Sequence, residues 1–165
     1  MSVDLNKLVR ESVMKILEEK EGGVLLEMAY DRGRYKSKID DRLPQILTNW
    51  CLVRYCSIVG NEKNRNHWLG ELRGLLSTVA RYSLRGNNSV SSRLSVLEEI
   101  WDENDFSIPN NVNLEVSSKF MNEGINIDSE EYVTAVVDCI ESKDDIFKAI
   151  LSKDIRYIQS YIDSI

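Results

Sequence analysis

An all-α protein is what this sequence predicts, and three observations carry the prediction. Apolar residues recur at steps of three and four through most of the chain. No Asn-Gly or Asp-Gly hairpin turn stands between alternating apolar runs, and only Val24–Tyr30 and Ile125–Ile127 offer even short strand candidates. The 165 residues, 42% apolar and 29% charged, are enough for one domain with a core that needs no disulfide or metal. A single compact domain over 1–165, built of seven to nine helices, is therefore expected.

The elements follow from the N-terminus. Leu5, Leu8, Val9, Val13, Ile16 and Leu17 line one side of a first helix, and Gly22-Gly23 is expected to stop it. Val24–Tyr30 is too short for periodicity to decide between helix and strand. Asp40-Asp41 ahead of Pro44 read as a helix start, with Ile46, Leu47, Trp50, Cys51, Val53, Cys56 and Ile58 forming a central apolar helix that ends at Gly60. Trp68, Leu69, Leu72, Leu75, Leu76, Val79 and Tyr82 give the clearest helix, closed near Gly86. Gly70 and Gly74 lie one turn apart on it, either where another backbone packs close or on the solvent side.

After the loop Gly86-Asn87-Asn88-Ser89, Ser91 or Ser92 is expected to cap a helix bearing Leu94, Val96, Leu97, Ile100 and Trp101. The stretch 102–113 holds Pro109 and no helical period, so it reads as a long irregular loop, a place for a hinge, a binding loop or a subdomain boundary. Leu114–Met121 is a short helix stopped near Gly124. Asp128 with Glu131 has capping-box spacing ahead of Val133, Val136, Val137 and Ile140. Ser142 and Ser152, each followed by Lys-Asp, read as two further helix starts, and Ile155, Ile158, Tyr161, Ile162 and Ile165 mark a last docked helix.

Composition removes many chemistries. The first twenty residues carry Asp4, Lys7, Arg10, Glu11, Lys15, Glu18, Glu19 and Lys20, so no secretory signal core is present, and no apolar run approaches the ~20 residues of a membrane span. A cytoplasmic protein without membrane contact is expected. Cys51, Cys56 and Cys139 lack CxxC spacing and read as core thiols in a reducing compartment. Phosphate loops, dinucleotide turns, HExxH helices and EF-hand loops are missing, so no cofactor, metal or catalytic residue is assigned. His67 is the only histidine, and an enzyme would centre on it with Arg65. Small helical RNA nucleases pair an Arg and a His a few residues apart; here Arg65 stands two residues before His67 and Arg54 thirteen, which departs from that spacing.

Charge is divided along the chain. Residues 1–31 are net −3, residues 32–93 hold twelve basic and four acidic groups for net +8, and residues 94–165 hold five basic and sixteen acidic for net −11. Such asymmetry points to electrostatic partners. The acidic part predicts a protein partner with a basic surface, met by Trp101, Asp102, Glu103, Asp105, Phe106, Asp138, Glu141 and Asp145, the two aromatic rings serving as anchors. Small size, acidity and absent catalytic motifs resemble the profile of bacterial immunity proteins, which implies an inhibitor that masks a basic toxin such as a nuclease. The alternative is a nucleic-acid-associated regulator using Arg32, Arg34, Lys36 and Lys38, with Tyr35 and Trp68 nearby for stacking. Pairing of the two segments, within one fold or between two copies as a homodimer, is the third way such charges are spent.

Overall fold

A computed structural model describes residues 5–82, 84 and 89–152, and within them the chain is entirely helical apart from its turns. Six helices are described: α1 Leu5–Val59, α2 Glu62–Ala80, α3 Val90–Glu103, α4 Pro109–Asn122, α5 Glu130–Glu141 and α6 Lys143–Leu151. The all-α expectation holds. Gly86, and the last expected helix with Ile155 to Ile165, lie outside the described residues.

α1 differs most from expectation. Fifty-five residues run as one helix through Gly22-Gly23, Val24–Tyr30 and Pro44, about 80 Å at 1.5 Å per residue. A glycine costs a helix only about 1 kcal/mol against alanine, and an open helix ends at glycine when that residue turns left-handed. Gly60 at φ 75° and Gly124 at φ 74° do so, and each closes a helix. Pro44 sits inside α1 instead of opening it. It lacks the N–H that the Asp40 carbonyl would receive, but the buried run Ile39, Leu43, Ile46, Leu47, Trp50 crosses it without interruption and holds the helix together by packing.

α2 turns back along the second half of α1 after Gly60, so that Lys38 of α1 lies over the ring of Tyr82 just past α2, 5.2 Å from its centroid. Asn61 starts α2 by accepting from the Asn64 amide. Caps elsewhere shift by one to three residues from the expected positions: Ser89, not Ser91 or Ser92, caps α3, and Ser129, not Asp128, caps α5. The face of α5 shifts with its cap. Tyr132, Ala135, Val136 and Cys139 are buried, whereas Val133 and Val137 are exposed.

The expected loop 102–113 contracts to 104–108, because α3 continues to Glu103 and Pro109 opens α4 at its first turn. Asp105 adopts φ 52°, a left-handed conformation that Asp tolerates better than most residues. One hydrophobic cluster runs from Tyr35 to Ile150 and draws on all six helices. Leu5, Leu8 and Val9, ahead of that cluster on α1, are exposed. No helix among the described residues is long and apolar enough to cross a membrane.

Candidate interaction surface

The basic segment and the acidic segment meet within the fold. Arg32 and Lys36, one turn apart on α1, both pair with Glu99 of α3, and Lys36 also reaches Glu103 at 2.7 Å. One turn further, Asp40 Oδ1 accepts from the Asn104 side-chain amide at 3.1 Å. These contacts hold α3 alongside the middle of α1. Arg54 Nε donates to Asp138 Oδ2 at 2.8 Å and ties the far end of α1 to α5. Hydrogen bonds from Arg32 and then Lys36 hold the Glu99 carboxyl down at about 2, and the Lys36 ammonium is correspondingly pushed up by Glu103 and Glu99.

The residues expected to face a protein partner therefore divide three ways. Trp101 and Phe106 are core: they stack edge-on at 5.5 Å, Trp101 meets Phe147 in the same geometry, and its indole N–H donates to Ser107 Oγ at 3.0 Å. Neither ring is presented as an anchor; continuing α3 to Glu103 puts Trp101 one turn after the buried Leu97 and turns it inward. Glu103 and Asp138 are engaged in ion pairs inside the fold. Asp102, Asp105, Glu141 and Asp145 remain exposed, with no ion pair among the described residues.

The Trp101–Phe147 contact brings the last turn of α3 to the first turns of α6. Lys143 lies over both rings, 5.9 Å from Trp101 and 5.5 Å from Phe147. Asp102 and Asp105 are thereby near this hub along α3 and the turn after it, and Glu141, Asp144 and Asp145 along the α5–α6 junction. Asp144 and Asp145 also suit the first turn of α6, where the helix dipole favours negative charge.

The four cations first grouped by sequence separate into two pairs, since residues two apart on a helix point about 200° from each other. Arg32 and Lys36 face Glu99 and Glu103, while Arg34 and Lys38 are exposed on the other side. Tyr35 is buried, its hydroxyl pushed up by burial against the opposing charge of Arg93. Trp68 is buried as well, with the Lys119 ammonium 4.9 Å above its ring. Arg93, one of the cations of the basic 32–93 segment, is buried on α3 and donates from Nη1 to the Leu151 carbonyl at the end of α6 at 3.2 Å. A cation suits a helix C-terminus, and its spacing from Val96, Leu97 and Ile100 was the signal that it shares their face.

His67 is exposed on α2, edge-on to Trp68 at 4.6 Å, and Arg65 Nε donates to Ser57 Oγ of α1 at 2.9 Å. Cys51, Cys56 and Cys139 are all buried. Burial pushes the thiols of Cys51 and Cys56 up, away from the reactive thiolate. Burial first, with the nearby Cys51, moves Tyr132 up to about 12. No group of three or more His, Cys, Asp or Glu suited to a metal ion occurs among the described residues. Comparison with protein-family models, with curated proteins and with solved structures found no match to this chain.

Proposed function

We propose that this chain is a protein-binding module that docks a basic partner on the surface beside the contact of α3 with α6. The observation that supports the reading is the spare acid. The cross-segment pairs use Glu99, Glu103 and Asp138, while Asp102, Asp105, Glu141 and Asp145 stand exposed around one buried aromatic hub. Carboxylates gathered on a rigid core steer a positively charged partner and fix its orientation. Occlusion is the simplest mechanism for such a surface, and an inhibitor or immunity-type protein that covers the basic working face of a toxin is its concrete form. The contact is electrostatic at this face, because Trp101 and Phe106 stay in the core.

Affinity capture from the native host tests it, comparing the wild type with an Asp102→Lys, Asp105→Asn, Glu141→Lys, Asp145→Lys variant. Asn is used at 105 because the left-handed backbone there suits it. A basic protein held by the wild type and bound about tenfold or more weakly by the variant is expected. An identical set of bound proteins removes the reading.

A further inference from the structure

We propose that a second face, carrying Tyr30, Arg34, Lys38 and Arg42 on α1 with Arg81 and Tyr82 at the end of α2, binds single-stranded nucleic acid. Tyr30, Arg34, Lys38 and Arg42 succeed one another at steps of four along α1, each step about 6 Å of rise and a 40° turn, so the row winds about 120° around the helix over about 18 Å as a spiral stripe. The ammonium of Lys38 over Tyr82 fixes the end of α2, and with it Arg81, beside this stripe. Tyr30 is 72% exposed, the most open aromatic ring described.

In a chain of net charge −6, a cation has many carboxylates to choose from. Arg32 and Lys36 take theirs from α3 and Arg54 takes one from α5. No carboxylate lies within ion-pair distance of Arg34, Lys38, Arg42 or Arg81 among the described residues. Asp31 and Asp41 border the stripe without pairing to it, and Asp40 is turned to Asn104. Four cations without counter-charges beside a solvent-facing ring are the elements of single-strand recognition: the cations neutralise successive phosphates and the ring stacks on an unpaired base. A duplex offers no free base face to Tyr30, which is why the single strand is favoured.

Anisotropy of labelled oligo(U) and oligo(dT) with the full chain tests this, in salt raised from about 50 to about 200 mM. Binding is expected to weaken with a log–log slope of about −2 to −3, from about −0.7 for each of three or four neutralised phosphates. Arg34→Glu/Lys38→Glu should abolish it. Lys63→Glu/Lys148→Glu, an equal charge change at exposed sites elsewhere, should retain most of it. Tyr30→Ala should cost about fivefold or more through lost stacking. Circular dichroism checks that each surface variant keeps its helices. The proposal is overturned by absence of binding at the lowest salt, by equal losses in the two charge pairs, by an unaltered Tyr30→Ala affinity, or by duplex DNA, heparin or an acidic peptide binding as tightly as the single strands.

Discussion

Glu99 is where the two charge-rich segments are joined, and its titration shows how much the joint holds. Its folded carboxyl titrates at about 2 against an ordinary 4.5, so the pairing adds stability that is fully present above about pH 4.5 and drains away as pH falls toward 2. The side chain is about one-third exposed, which lets solvent screen the interaction. Glu99→Gln is expected to cost about 1 kcal/mol near neutral pH. Urea titrations of both proteins across pH 2 to 7 should show the difference closing at the acid end; a difference that ignores pH would mean that Glu99 acts by packing instead. Arg93 is the residue-scale counterpart in the core. Its guanidinium is held by the hydrogen bond to Leu151 and the C-terminal dipole of α6, so Arg93→Met, which keeps the stem, should lose about 1 kcal/mol, and Arg93→Ala about twice that as packing is lost as well. Equal losses would place the whole effect in the stem. These partners were not legible beforehand: Arg32 and Glu99 stand 67 positions apart, and nothing local marks which acid a given Arg will meet.

At the scale of the element, helix existence was legible and helix continuity was not. α2, α5 and α6 declared themselves through periodicity and, for α5 and α6, through polar residues at or beside their starts, Asp128 next to Ser129 and Ser142 itself, although of these only Ser129 caps its helix through its side chain. α1 did not, since Asp40, Asp41 and Pro44 satisfy the rules for a helix start whether or not a helix already precedes them. Burial on both sides of Pro44 decided the matter, and burial is a tertiary fact. Gly70 and Gly74 show the same limit. A Cβ built on either meets nothing within 4 Å, so they are solvent-side glycines and no backbone packs against them. Gly70→Ala/Gly74→Ala is accordingly expected to stabilise the protein by about 1 to 2 kcal/mol, from helix propensity and a less flexible unfolded chain. Gly60→Ala, in the left-handed turn between α1 and α2, should destabilise by about 1 kcal/mol or more despite equally open space. Chemical denaturation of the two variants checks both signs. A loss at positions 70 and 74 would restore the close-packing reading.

For the molecule as a whole, the division of charge along the sequence becomes a division between charges that close the fold and charges left at its surface. The +8 and −11 segments were legible as totals, but only the packing of α3 and α5 on α1 determines which members cancel. Glu103 and Asp138 belong to the first class, and Asp102 and Glu141 to the second. Two variants with the same change in net charge separate them. Glu103→Lys/Asp138→Lys replaces two attractions to Lys36 and Arg54 with two repulsions, which should lower the melting temperature by a few degrees. Asp102→Lys/Glu141→Lys sits in the last turns of α3 and α5, where a helix dipole prefers cations, and it relieves repulsion in an acid-rich neighbourhood. That variant should melt at or above the wild-type temperature while losing the basic partner. Added salt should narrow the gap between the two, because both effects are screened within about 10 Å at 0.1 M. Equal melting temperatures would show that net charge alone sets stability. The spare acids could then not be distinguished from the structural ones, and the case for a docking face built from them would fall with that distinction.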